Sequence, residues 1–297
     1  MKSKGLTLTI LVQASSANYG ESLGNVASLK KVTRGDGYQY TYISRQALRY
    51  NIVQQLDEPL ATLSAEGSRD KKVIQFDKDA TIEAYPEIDF FGYMKTNKGT
   101  NAHVRSAKVR LSNAISLEPF RGDTDFLNNM GLAARLRKAK GDNSINNGLA
   151  QSEIHLSYYR YTVTIDLDQI GIDEAEDIQI SNQEKARRVS KLLDVIAYLY
   201  RDIRGRREDL KPLFVIGGVY DIKNPVFENI VDVKNNTVLI EGIKDVMTSE
   251  LANQTETGVV SGKFTNTDEI KRELHATSVA KFFEVLKKKV ADHYEGD

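Results

Sequence analysis

Apolar and polar side chains alternate without a break from Tyr159 to Asp168. Tyr159, Tyr161, Val163, Ile165 and Leu167 share one face, and Arg160, Thr162, Thr164, Asp166 and Asp168 share the other. A period of two predicts a β-strand. Ser181-Asn182-Gln183-Glu184 then reads as a capping box that opens a long helix. Its apolar stripe is Val189, Leu192, Leu193, Ile196, Tyr200 and Ile203, with Gly205 expected just past its end. A strand that feeds an amphipathic helix must bury both apolar surfaces, so helices should layer on a sheet.

The N-terminal half shows the same succession. Leu6, Leu8, Ile10 and Val12 alternate with Thr7, Thr9 and Gln13, which predicts a first strand. Residues 14–37 are rich in Ser, Asn and Gly and read as a long loop. Tyr38 to Ile43 reads as a short aromatic strand. Ser44 is then a good N-cap, with Ile43 and Leu48 spaced as a hydrophobic staple. Leu48, Ile52 and Leu56 form the buried stripe of a helix that should stop before Pro59. Residues 61–80 are polar, contain Gly67, and read as a mobile insertion. Strands are expected at 88–94, 104–117, 213–216 (running into Gly217-Gly218) and 237–243. A last helix from about Thr277 carries Val279, Phe282, Phe283, Leu286 and Val290. Residues 119–152 differ from the rest. Gly122, Gly131, Gly141 and Gly148 surround a helix-like Leu132–Lys138 and an Asn-rich run, which predicts an arm protruding from the body. The order of elements is that of a split βαβ, ferredoxin-like fold, which is also the RNA-recognition architecture. The expected class is therefore α+β: an antiparallel sheet with helices on one face, interrupted by the insertion at 61–80 and the arm at 119–152.

Composition removes several function classes. The chain has no Cys, which excludes disulfides, a thiol nucleophile and Cys-ligated metal. No apolar run is long enough to span a membrane and no signal core is present, so a cytoplasmic location is expected. His103, His155, His275 and His293 show no metal-ligand spacing. No phosphate-binding glycine loop or nucleophile elbow appears. Asp166, Asp168, Asp173, Glu174, Glu176 and Asp177 do not follow a calcium-loop spacing and read as a solvated acidic edge. No cofactor and no metal are expected. The formal net charge is zero, yet residues 101–140 hold eight Lys or Arg against three acids. A local basic surface can bind a polyanion even on a neutral protein.

The arginines recur at loop and helix ends: Arg34, Arg45, Arg49, Arg105, Arg110, Arg121, Arg135 and Arg137. Arg45 and Arg49 are four apart and share a helix face. The unpaired N–H groups of the Ser44 turn, together with the helix dipole, favour an anion there. A solvated helix whose arginines face water fits the same pattern. Tyr38, Tyr40, Tyr42 and Tyr50 surround that helix. Basic residues interleaved with aromatics suit a single-stranded nucleic acid, although tyrosines also fill pleated strands for packing alone.

Several segments together resemble a known family. Asn18-Tyr19-Gly20-Glu21 with Gly24-Asn25, Lys30-Lys31, and Tyr42-Ile43-Ser44-Arg45-Gln46-Ala47-Leu48-Arg49 are similar to the N-terminal half of CRISPR-associated backbone subunits of the DevR type, of the type I-B class and the RAMP superfamily. Asp89–Met94, Tyr159-Arg160-Tyr161 and Gly217–Pro225 resemble it as well. The resemblance implies a hand-shaped single domain over 1–297: a palm of 1–60, 86–118 and 153–297, a finger-like insertion at 61–85 and a thumb at 119–152. It implies antiviral defence, with the protein binding CRISPR RNA and polymerising along it as the helical Cascade backbone. The expected partners are that RNA, the complementary target DNA strand, adjacent copies and other Cascade subunits. By position it implies RNA contacts at Asn18, Lys30, Lys31, Ser44, Arg45, Gln46, Arg49, Arg135, Arg137, Lys138, Gly217 and Gly218. It implies no catalysis in type I complexes. Related subunits cut target RNA with a thumb Asp, and Asp123, Asp125 and Asp142 lie in that region. A regulatory role and a generic interaction protein are the remaining alternatives.

Overall fold

Gly5–Ala14 forms the middle of an eight-stranded sheet. It pairs antiparallel with Ser157–Asp166 on one side and with Phe214–Tyr220 on the other. The computed structural model describes residues 4–66, 72–95 and 103–296. Thr255–Val259 closes one edge of the sheet. On the other side, Val109–Leu111 and Ala114–Ser116 both pair with Ser157–Asp166, followed by Gln39–Ile43 and Lys31–Thr33. The register sets Leu8 opposite Val163 and Ile10 opposite Tyr161. The side chains on that face pack against three helices, Arg45–Gln55, Asn182–Ala197 and Val279–Glu295. Each helix is N-capped by the serine before it, and Ser44, Ser181 and Ser278 accept the N–H three residues on. Such a cap contributes about 1 kcal/mol.

The opposite sheet face, which was expected to carry no helices, is covered as well. A second core joins Leu11, Tyr158, Phe214 and Ile216 to Phe227, Val231, Ile240, Ile243, Phe264 and Ile270. Thr7 and Thr9 are buried with it. Thr9 shares a hydroxyl–hydroxyl hydrogen bond of 3.0 Å with Thr162, and Thr7 donates to the Asn224 carbonyl at 3.5 Å. Polar side chains can therefore sit under that cover because each hydroxyl has a partner.

Several expected elements fold differently. Residues 14–37 contain three short strands, Tyr19–Leu23, Val26–Leu29 and Lys31–Thr33. The stretch at 88–94 is a helix, Pro86–Phe91, followed by the strand Tyr93–Lys95. Pro86 at its first turn and Gly92 at φ 74° as its cap are the start and stop signals that override the apolar run. The stretch at 104–117 divides into three strands. The long helix ends at Ala197. Tyr200–Ile203 instead forms a hairpin with Arg206–Asp209, and Gly205 sits in its turn. At 237–243 only Thr237–Val238 is strand, and Ile240–Val246 is helical. In the insertion, Leu63–Glu66 pairs with Val73–Phe76, beside a small core of Ala61, Ala80, Ile82, Ile88 and Tyr93. Gly67 lies outside the described residues.

Gly217 and Gly218 are not in a loop. They lie buried inside Phe214–Tyr220, opposite Leu8 and Thr7. A Cβ on Gly217 would stand 1.9 Å from the Thr7 carbonyl oxygen, and one on Gly218 would stand 2.1 Å from the Gln254 carbonyl oxygen. The pair of glycines is explained by close backbone approach, of Thr7 in the neighbouring strand and of Gln254 at the end of the helix Ser249–Gln254. It offers no surface to a ligand.

The 119–152 excursion is an arm of defined structure. Thr124–Asn128 and Leu149–Glu153 pair antiparallel, and the helix Met130–Lys140 sits between them. Gly141 ends that helix in the left-handed conformation, φ 65°. The arm is joined to the body by parallel pairing of Gln151 and Ser152 with Val26 and Ala27. At its base Glu153 accepts from the Leu29 N–H at 2.7 Å and from Lys31 Nζ at 2.6 Å. Lys31 also lies over the Phe120 ring, 4.5 Å from its centroid.

Candidate nucleic-acid interface

The helix Arg45–Gln55 and the strand Val109–Leu111 enclose a pocket of about 380 Å³. Arg45, Gln46 and Arg49 line it from the helix. Arg110 and Leu111 line it from the strand, and Phe91 and Ala107 complete it. The helical spacing set out above places Arg45 and Arg49 on one wall. Arg49 lies over the Phe91 ring at 4.8 Å. Burial pulls its guanidinium below the ordinary value, and Glu87, 4.0 Å away, acts in the opposite direction. A guanidinium stacked on an aromatic face keeps its edge available for a planar oxyanion. Arg110 is held at one edge by Asp166, at 2.8 Å. Three arginines around a half-apolar hollow suit a phosphate carrying an organic substituent better than a bare metal or an apolar ligand.

The turn that begins this helix is largely satisfied from within. The Ser44 N–H donates to Asn18 Oδ1 at 2.8 Å and the Arg45 N–H to Asn113 Oδ1 at 2.8 Å. The Ala47 N–H donates to Ser44 Oγ at 3.3 Å. The unpaired N–H groups expected there are thus mostly taken, and the charge available to an anion comes from the arginine side chains. Asn18 and Ser44 act as caps that position Arg45.

The other residues singled out from the sequence separate clearly. Lys30 is exposed, whereas Lys31 is held by Glu153. On the arm, Arg135 and Lys138 are exposed. Arg137 is committed: it donates to the Ile145 carbonyl at 2.9 Å and to Asn147 Oδ1 at 2.9 Å, closing the Asn-rich loop onto the arm helix. Gly217 and Gly218 are buried in the sheet. The structure therefore joins Arg45, Gln46 and Arg49 into one pocket and leaves the arm lysine and arginines apart from it. Phe91, Ala107 and Asn113 were not legible as site residues, because each meets the Arg45–Gln55 helix only through the tertiary fold. Arg110 was visible only as one of many arginines.

Among the described residues, no group of three or more His, Asp or Glu side chains is placed to hold a metal ion. Asp123 and Asp125 are exposed on the arm. Asp142 accepts from the Ser144 N–H and hydroxyl, at 2.8 and 2.6 Å, and these bonds hold its carboxyl below the usual range. Among the described residues no helix is long and apolar enough to cross a membrane.

The family model described as CRISPR-associated negative auto-regulator DevR/Csa2 matches residues 6–239. The chain belongs to this family. A CRISPR-associated protein Cas7/Cst2/DevR from Myxococcus xanthus (strain DK1622) is 28% identical over 162 residues, which is 50% of this chain and 52% of the relative. The chain thus spans about half the length of that curated relative. A chain of a CRISPR RNA-guided surveillance complex, pre-nicking, superimposes with a TM-score of 0.64 at 11% identity, covering 97% of this chain and 99% of the other. A chain of a second CRISPR RNA-guided surveillance complex gives 0.57 at 14% identity, covering 98% and 99%. The mixed α+β fold, with antiparallel sheets and helices, is that of these chains.

Proposed function

We propose that this protein binds CRISPR guide RNA through the Arg45–Arg49–Arg110 pocket and polymerises along it as the backbone of a type I-B Cascade surveillance complex. The observation that carries this reading is the pocket itself: three guanidinium groups, one stacked on Phe91, converging on an otherwise neutral body. Family membership and the fold of surveillance-complex chains support it. The sheet order supports the palm assignment. Phe214–Tyr220, Gly5–Ala14, Ser157–Asp166 and the 109–116 strands lie side by side in the 4-1-3-2 order of a ferredoxin-like split βαβ unit. The paired strands Leu63–Glu66 and Val73–Phe76 serve in the finger-like insertion and the arm as the thumb. The exposed apolar side chains Phe126, Leu127, Met130, Leu132 and Leu136 suit contact with an adjacent copy. The complementary target DNA strand and other Cascade subunits are the further partners in this reading.

Arg45→Ala combined with Arg49→Ala is expected to weaken binding to unrelated guide RNAs alike, because phosphate contacts carry no sequence information. The slope of log affinity against log salt should fall by about 0.7 per lost contact on a single strand. Filter binding across salt measures both, and a double variant that matches the parent in affinity and slope would exclude the pocket.

The role is read as non-catalytic. RNA-loaded protein is expected to leave complementary RNA and DNA intact with Mg²⁺ or Mn²⁺. Cleavage that disappears on Asp123→Ala, Asp125→Ala or Asp142→Ala would place the protein among the RNA-cutting relatives instead.

A further inference from the structure

The hairpin Tyr200–Ile203 and Arg206–Asp209 carries a second cationic feature, and its geometry is unusual. Its two turn residues are Arg204, at φ 48°, and Gly205, at φ 75°. Both central residues at positive φ define a tight hairpin turn in which Asn, Asp or Gly is the easy first residue. A long cationic side chain there carries a backbone cost that the turn does not require.

The hairpin is fixed to the body by a buried carboxylate. Glu208 accepts from the Ser15 and Ser16 N–H groups at 2.7 and 3.1 Å and from Arg201 Nε at 2.7 Å. Arg206 also bonds to Ser16 Oγ and reaches Glu208 at 3.4 Å. With its base held in this way, the turn presents Arg204 in one place. The Arg204 guanidinium lies over the Tyr19 ring, 4.1 Å from the centroid, and donates to Ser152 Oγ at 3.1 Å. Tyr19 in turn donates to the Glu153 carbonyl at 3.1 Å. Arg204 therefore stands at the root of the arm. Tyr19 directly follows Asn18, whose Oδ1 accepts the Ser44 N–H at the start of the pocket helix. No carboxylate is paired with Arg204 among the described residues. By contrast, Arg207 on the same hairpin is spent on Asp202, at 2.9 and 3.0 Å.

We propose that Arg204 is a phosphodiester contact at the root of the arm, tied to the helix of the Arg45–Arg49–Arg110 pocket through the Asn18-Tyr19 segment. The ligand class is the sugar–phosphate chain of a nucleic acid. The inference rests on the proposed RNA-binding role and extends it to a surface on the other side of the Ser44 cap. Stacking on Tyr19 fixes the plane of the guanidinium, so fewer rotamers are lost when its free edge takes a phosphate.

The test uses Arg204→Asn. Asn tolerates the left-handed conformation better than Arg, which offsets the lost Tyr19 stacking and Ser152 hydrogen bond, so this variant should melt near the parent temperature. A merely structural Arg204 would show no loss of binding. The expected result is instead a loss of roughly three- to tenfold in affinity for single-stranded RNA, with the salt slope smaller by about 0.7. Arg206→Gln, which removes a guanidinium already taken by Ser16 Oγ and Glu208, should cost less. To separate the two sources of phosphate, the same variants are tested for capture of complementary single-stranded DNA by protein already loaded with RNA. A loss confined to the first assay assigns the contact to the guide, and a loss confined to the second assigns it to the target strand. Unchanged affinity and slope in both assays, with the parent binding normally, overturn this inference alone. A parent protein that binds no RNA at any salt overturns the functional proposal as well.

Discussion

Asp89→Ala should be among the most destabilising single substitutions in the chain, by about 3–5 kcal/mol. Asp89 is fully buried. Its Oδ1 takes Arg105 Nη2 at 2.7 Å and the Gly171 N–H at 2.9 Å, and its Oδ2 takes Arg188 Nη1 at 3.1 Å. Arg105 and Arg188 are themselves 7% and 3% exposed. Removing the carboxylate leaves two buried cations without their shared counter-charge, and Coulomb repulsion between them adds to the desolvation cost. Arg188 retains carbonyl partners at Ile82 and Glu83 and the Glu184 carboxylate at 2.8 Å, so the cost stays finite. The three charges tie the insertion, the 168–172 turn and the long central helix together. In a thermal melt the midpoint should fall by roughly 6 °C or more. A variant within about 1 kcal/mol of the parent in urea unfolding would mean that the cluster contributes little. A control at Asp202, whose pair with Arg207 is exposed, should change almost nothing.

The second large effect is expected from the arm tip. Replacing residues 130–147 with a short Gly/Ser link should leave the monomer's fold and melting temperature nearly intact and abolish regular assembly on RNA. Of the arm helix Met130–Lys140 only Ala133 is buried. Little apolar surface is therefore lost from the body when the tip is removed. The cut must spare Gln151, Ser152 and Glu153, which pair with Val26, Ala27, Leu29 and Lys31 and belong to the body's own bonding. The tip also exposes Met130, Leu132 and Leu136 beside Arg135 and Lys138, an amphipathic surface that a lone chain leaves uncovered. Negative-stain images and sedimentation with long RNA distinguish the outcomes. Ordered filaments from the truncated protein would remove the arm from assembly. Loss of the monomer's cooperative melt would show that the tip is part of the core.

The chemistry of the pocket follows from where the arginines are fixed rather than from how many there are. Arg45 and Arg49 gain meaning because Phe91 and Arg110 close the other side. Arg105 looked similar in sequence, yet it is buried on Asp89 and the Ile172 and Gln169 carbonyls. Arg137, equally basic, braces its own loop. A formal net charge of zero is compatible with all of these, since much of the positive charge is internally paired.

The local patterns of this chain were enough for what depends on neighbours along the chain. The strand over 159–166, the Ser44 and Ser181 caps and the apolar stripes inside Arg45–Gln55, Asn182–Ala197 and Val279–Glu295 depend on residues within one or two turns, where period and capping chemistry decide the outcome, although the strand stops at Asp166 and Leu167–Gln169 turns. The resemblance to the CRISPR-associated family was equally legible, because its motifs are contiguous. Tertiary structure decided the rest. A helix replaced the apolar run at 88–94 because Pro86 and Gly92 set its ends and Asp89 found two arginines far along the chain. Gly217-Gly218 became mid-strand because the Thr7 and Gln254 backbones come too close for any side chain. Asn18 and Asn113 came to hold the start of one helix only through tertiary folding, across sequence separations of 26 and 68. Which arginines remain available to a phosphate is likewise a property of long-range pairing with carboxylates and carbonyls, and no periodicity encodes it.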